Sequence, residues 1–163
     1  PRVGKVDVWP ALADGFGSNG SVQGEYGDVM AGGADISLDR IERIYTRKTS
    51  RLFELCMYAG ARTAGEDQDL PRRLAAYGTH LGQAFQAIDD ILDVTADSHT
   101  LGKSAGKDVA QKKATVVKVL GLDGARSGAE QATDRAVKAL EGLPRESSGM
   151  LRELAFWMLK RIM

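Results

Sequence analysis

Apolar residues return every three or four positions along almost the whole of this 163-residue chain, and nowhere do they alternate over the length of a strand. Leu38, Ile41, Ile44 and Tyr45 form one such stripe, and Leu81, Phe85, Ile88 and Leu92 form another. A period near 3.6 buries one face of a helix, whereas a half-buried strand needs a period of two. Clusters of Val, Ile and Thr are short. The chain is therefore expected to be all-α, a packed helical array built as one domain over residues 1–163. A hydrophobic fraction of 43% is enough to fill its core.

Local signals divide the array. Pro10 predicts a break or bend in the first apolar segment. A helix over Ser21–Met30 carries Val22, Tyr26 and Met30 at four-residue spacing and is expected to pack closely, with a loop through Ala34. Ser37 reads as an N-cap, with Asp39 favourable in the first turn of a helix to Ala61 and a possible kink near Lys48 and Thr49. Pro71 suits the first position of the next helix, expected to reach about Val94, with a loop over Ala96–Asp108. Three more helical pieces are expected near Val109–Leu120, Leu122–Leu140 and Glu146–Met163. The last gathers Leu151, Leu154, Ala155, Met158 and Ile162 on one face, as a packing helix does.

Composition narrows the function classes. The 22 basic and 22 acidic residues cancel, which argues against nucleic-acid binding driven by bulk charge. Cys56 is the single cysteine, so no internal disulfide forms, and a reducing, cytoplasmic setting is the default expectation. No apolar run reaches the length of a membrane span. The opening residues show no signal pattern and no initiator Met, so a processed chain or a piece of a longer one is expected.

The chemistry concentrates in "AFQAIDDILDVTADSHTLGKSAGKD". At about 100° per residue, Gln86, Asp89, Asp90, Asp93 and Asp97 fall in one arc, opposite Leu81, Phe85, Ile88 and Leu92. Two like charges about 4 Å apart cost roughly 1 kcal/mol in water, and Asp is a poor residue for a helix interior. A cation would compensate the stripe, and oxygen-only donors favour Mg²⁺ over Zn²⁺. A solvated acidic face gives the same pattern. Gly78 and Gly82, one turn apart just before the acids, allow close approach of another helix. Lys103 and Lys107 follow among small residues, where backbone amides and ammonium groups reach a phosphate. Lys112 and Lys113 come next. Together these features read as a diphosphate site.

At these residues the chain resembles the trans-prenyl diphosphate synthases. "FQAIDDILD" followed by "LGKSAGKD" is similar to that family's second aspartate-rich region, and "YTRKTSRLF" to its Lys-Thr motif at Lys48 and Thr49. "GSNGSVQGEYGD" resembles its Gly-Gln-x-x-Asp helix, with Asp28 at the acidic position and Glu25 in place of the usual Gln. The resemblance extends over essentially the whole chain. It implies the C-terminal portion of an isoprenoid synthase helical bundle. Nothing in the sequence matches the family's first aspartate-rich motif or its isopentenyl diphosphate site.

The resemblance implies a Mg²⁺-dependent prenyltransferase that condenses isopentenyl diphosphate with an allylic diphosphate. Asp89 would be the main metal ligand, with Asp90 and Asp93 adding further or water-mediated contacts. Lys48, Lys103 and Lys113 would contact the allylic diphosphate, although spacing does not separate Lys113 from Lys112. Thr49 and Gln86 would line the path of the allylic cation, and Asp28 would orient Lys48 or a metal-bound water. A homodimer is implied, and an N-terminal half is needed to complete the site. One rival is a class I terpene cyclase, whose second metal motif is not found at the required spacing. Another is a non-catalytic or regulatory helical subunit of such a synthase.

Overall fold

The computed structural model describes residues 8–32, 36–65, 69–99 and 114–163. No strand occurs among them. Seven α-helices follow in order: α1 Trp9–Phe16, α2 Ser21–Ala31, α3 Leu38–Tyr45, α4 Arg51–Thr63, α5 Asp69–His99, α6 Val116–Ala139 and α7 Arg145–Leu159. A π-helical turn, Thr46–Ser50, joins α3 to α4, and a 3₁₀ turn, Lys160–Ile162, closes the chain.

Helix boundaries follow the expected chemistry only in part: Pro71 is the third residue of α5 rather than the first, and Ala114 and Thr115 lie outside the helix expected from Val109. Ser37 caps α3 by accepting from the Arg40 N–H at 3.4 Å. Thr115 caps α6 through the Lys118 N–H. Pro10 starts a helix rather than breaking one, because in the first turn its missing N–H has no intrahelical partner to lose. The helix that carries the acids runs on to His99, past the expected end near Val94. The expected break between Leu120 and Leu122 falls at Gly121, whose φ of 71° interrupts α6 in a region that favours glycine.

The long α5 is the axis of the bundle. Tyr77, Leu81, Ala84, Ile88 and Ile91 are buried along it. They pack with Ile41 and Ile44 of α3, with Ala125, Ala129, Ala132 and Ala136 of α6, and with Ala155 and Met158 of α7. The alanine face of α6 allows it to lie close against α5. Tyr77 donates to the Leu151 carbonyl at 2.7 Å and Arg152 to the Leu140 carbonyl at 2.5 Å, which ties α7 to the bundle.

α2 packs the opposite way from the expectation. Val22, Tyr26 and Met30 are exposed, and Gly24 and Ala31 are the buried residues. A Cβ on Gly24 would lie 2.2 Å from the Lys48 nitrogen and 2.6 Å from its Cα. The helix therefore meets the π turn backbone to backbone, and only its glycine face can make that contact. Gly78 and Gly82 act as expected on α5: a Cβ on either would sit 2.5–2.6 Å from the backbone of Ser50 or Phe53.

A candidate diphosphate-binding site around the π turn

The π turn lies between two glycine contacts, Gly24 of α2 on one side and Gly82 of α5 on the other. A π turn inserts an extra residue into a helix and is frequent at functional sites. Here consecutive side chains serve different neighbours. Lys48 turns to α2, where its Nζ lies 2.5 Å from Asp28 Oδ2 and 3.0 Å from Glu25 Oε2. Thr49 turns to α5 and donates to Gln86 Oε1 at 2.9 Å. The kink expected near these residues is this turn.

Asp28, 14% exposed, is the more enclosed of the two carboxylates on Lys48, and Glu25 is 60% exposed. Partial burial by itself lowers the pKa of Lys48. The hydrogen bonds and charges of Asp28 and Glu25 outweigh it, and the net shift is upward. Lys48 therefore stands as a fixed cation.

The acidic stripe does not stay on one face. Asp90 is fully buried and Gln86 nearly so, whereas Asp89 is half-buried and Asp93 exposed. Tyr45 donates its hydroxyl to Asp90 Oδ2, and the Val116 N–H reaches the same oxygen at 3.2 Å. Gln86 Nε2 lies 3.5 Å from Asp90 Oδ1. The expected role of Asp90 beside Asp89 at a metal is corrected accordingly. Its carboxylate is engaged in the core, because partners 45 and 26 residues away in the chain draw it inward. Losing one of those donors would leave a buried acceptor short, at a cost of about 1–3 kcal/mol. Burial, followed by the charge of Asp90, raises the pKa of Tyr45 and keeps it a proton donor.

Asp89 and Asp93 remain together, one helical turn apart and open to solvent. Among the described residues no three His, Cys, Asp or Glu side chains converge on a metal position. Mg²⁺ does not need three, because it keeps several waters and takes one or two carboxylates plus phosphate oxygens. The donor set on this helix fits that chemistry. Lys103, Lys112 and Lys113, and the side chain of Asp97, lie outside the described residues.

A groove of about 570 Å³ opens beside the turn, lined by Lys48, Thr49, Glu25 and the apolar Val22, Phe53 and Phe85 among others. Phe53 and Phe85 pack with ring centroids 5.5 Å apart. Both rings are partly buried against the core, and they also line the groove. Tyr45 was expected in the core and is there, but its hydrogen bond to Asp90 is invisible to periodicity. No described helix is long and apolar enough to cross a membrane.

A family profile described as polyprenyl synthetase matches residues 16–147. The chain is 38% identical over 157 residues to a chloroplastic geranylgeranyl pyrophosphate synthase of Catharanthus roseus, covering 96% of this chain and 44% of that protein. It thus spans less than half the length of that relative. It is similar to an FPP/GFPP synthase structure from Zymomonas mobilis, at 32% identity and a TM-score of 0.75, covering 93% of this chain and 50% of the other. It is also similar to a polyprenyl synthase from Caulobacter crescentus crystallised with calcium and isoprenyl diphosphate. That match has 27% identity and a TM-score of 0.81, and covers 98% of this chain and 60% of the other. The expectation of a cytoplasmic chain is overturned. Relatives from Catharanthus roseus, Arabidopsis thaliana and Capsicum annuum are named as chloroplastic proteins. A lone cysteine is compatible with any reducing compartment, so composition does not discriminate between the two.

Proposed function

This chain belongs to the polyprenyl synthetase family, and on that premise we propose that it supplies the C-terminal half of a prenyltransferase. The reaction joins an allylic diphosphate to isopentenyl diphosphate by head-to-tail elongation. The observation that carries the reading is the π turn, which sets a fixed cation, Lys48, and a hydroxyl, Thr49, backed by the buried Gln86, in a groove walled in part by Val22, Leu52, Phe53 and Phe85. That combination suits a substrate with an anionic head and a hydrocarbon tail. The relative crystallised with calcium and isoprenyl diphosphate supports the same substrate class.

Each residue has a distinct task. Asp89, with Asp93 one turn on, would hold Mg²⁺. The ion, when bound, neutralises charge on the diphosphate. Lys48 offers the diphosphate a charge-assisted contact, joined by Lys103 and Lys113. Asp28 keeps the Lys48 ammonium in place. When the allylic C–O bond breaks, positive charge develops on carbon, and the dipoles of Thr49 and Gln86 face it. Preorganised dipoles of this kind act without reorganising during the reaction. Phe53 and Phe85 keep water from the cation before the double bond of isopentenyl diphosphate attacks it and a proton is lost.

The reading includes a further part that contributes a first aspartate cluster and an isopentenyl diphosphate site, since no segment here matches either. It also includes a homodimer, for which the exposed Val22, Tyr26, Val29 and Met30 of α2 provide an apolar face. Calorimetry with an allylic diphosphate tests the core of the proposal. Binding that requires Mg²⁺, and that weakens in Asp89→Ala, is expected. Equal binding with and without the metal refutes it.

A further inference from the structure

Two hydrogen bonds, from Thr49 to Gln86 and from Gln86 to Asp90, link the groove to the buried carboxylate, and their polarity follows from valence. An ionised carboxylate only accepts. Two donors, the Tyr45 hydroxyl and the Val116 N–H, already converge on Asp90 Oδ2, which leaves Oδ1 as the acceptor that faces Gln86. The Gln86 group facing Asp90 Oδ1 must therefore be the NH₂, which turns Oε1 toward Thr49. Thr49 then has to spend its single proton on Gln86 Oε1, at 2.9 Å. Its lone pairs are left for whatever occupies the groove that it lines.

We infer that Asp90 is a positioning residue: through Gln86 it orients Thr49 so that lone pairs, rather than a proton, face developing positive charge in the groove. Tyr45 holds Asp90 in that role. The inference rests on the prenyltransferase reading for its consequence in rate, but the orientation itself stands on hydrogen-bond chemistry alone. It separates two adjacent acids. Asp89 is half-buried and would hold a metal from the solvent side, and Asp90 acts inward on a dipole chain. A neutral partner at position 90 would free the Gln86 amide to turn over, and Thr49 would then be free to point its proton at the cation.

The test uses a full-length synthase carrying this chain as its C-terminal part. In a double-mutant cycle, Asp90→Asn lowers kcat about tenfold with little change in KM for the allylic diphosphate, and in a Thr49→Val background its further effect falls below about twofold. An equal fold-loss in both backgrounds, as a purely stabilising residue gives, overturns the inference. So does a rise in the Mg²⁺ concentration needed for half-maximal rate, which would make Asp90 a metal ligand. Tyr45→Phe keeps the ring and removes one donor. It is expected to shift kcat in the same direction by a smaller factor, and it decides the matter if Asp90→Asn does not fold. A readout independent of turnover is the Gln86 side-chain amide in ¹⁵N NMR, assigned by its loss in Gln86→Leu. Slow proton exchange that becomes fast in Asp90→Asn is expected, and unchanged exchange refutes the orientation. If the unaltered protein makes no prenyl diphosphate, the functional reading fails, and the amide signals alone then decide the inference.

Discussion

Glu25 stands where the resemblance to a Gly-Gln-x-x-Asp motif would place Gln, and the structure gives that difference a consequence. Its carboxylate lies 3.0 Å from Lys48 Nζ, where Asp28 already lies at 2.5 Å. Two acids thus compete with an incoming diphosphate for one ammonium. Glu25→Gln removes one charge and keeps an oxygen able to accept from Lys48. At 3 Å a unit pair is worth roughly 1.4 kcal/mol in bulk water. With Glu25 60% exposed, the exposed-pair range of about 0.2–1 kcal/mol is the better guide. The substitution also removes repulsion between Glu25 and the diphosphate, so the upper half of that range applies. About 0.5–1 kcal/mol corresponds to roughly two- to fivefold tighter binding. The assay is calorimetry of allylic diphosphate binding with Mg²⁺ at low and high salt. The gain is expected to shrink as the screening length drops from about 10 Å at 0.1 M to about 3 Å at 1 M. Weaker binding in Glu25→Gln, or a gain that salt leaves untouched, refutes the placement of Lys48 at the diphosphate.

Other outcomes follow from the same geometry. Gly24→Ala places a Cβ 2.2 Å from the Lys48 nitrogen, so α2 must shift away from the π turn. A stability loss of about 1–3 kcal/mol is expected in a denaturant melt, together with weaker diphosphate binding. Burial pushes the Tyr77 phenol up to about 12 from an ordinary 10.0. Below pH 10 both folded and unfolded states hold that proton and stability is intact. From pH 10 to about 12 the unfolded chain releases it first, so stability falls, and Tyr77→Phe should flatten the decline in urea titrations at stepped pH. The 163-residue chain by itself is expected to make no prenyl diphosphate from labelled isopentenyl diphosphate, an allylic diphosphate and Mg²⁺. Each missing carboxylate cluster or substrate site removes several kcal/mol of transition-state stabilisation, at about tenfold in rate per 1.4 kcal/mol.

The all-α class, the Ser37 cap, the interruption at Gly121 and the close-packing glycines of α5 were legible in the sequence. Each is a local property: a period, a cap, a missing Cβ. Lys48, Thr49, Gln86 and Asp89 were legible as candidates through motif resemblance, which orders residues along the chain without saying what each one touches. Tertiary structure decided the rest. Periodicity put Asp89, Asp90 and Asp93 on one face, but the faces of a helix are assigned by what packs against them. Asp90 turns inward because Tyr45 and Val116, far away in sequence, bring donors that pay for its desolvation. α2 shows its Val22, Tyr26 and Met30 stripe to solvent because only Gly24 allows the backbone of the π turn to approach. Lys48 and Thr49, adjacent in the chain, serve opposite neighbours because that turn carries one residue more than an α-helix would. Local sequence sets which residues are helical. Contacts between residues remote in the chain set which way each helix faces, and the candidate site is built from those facings.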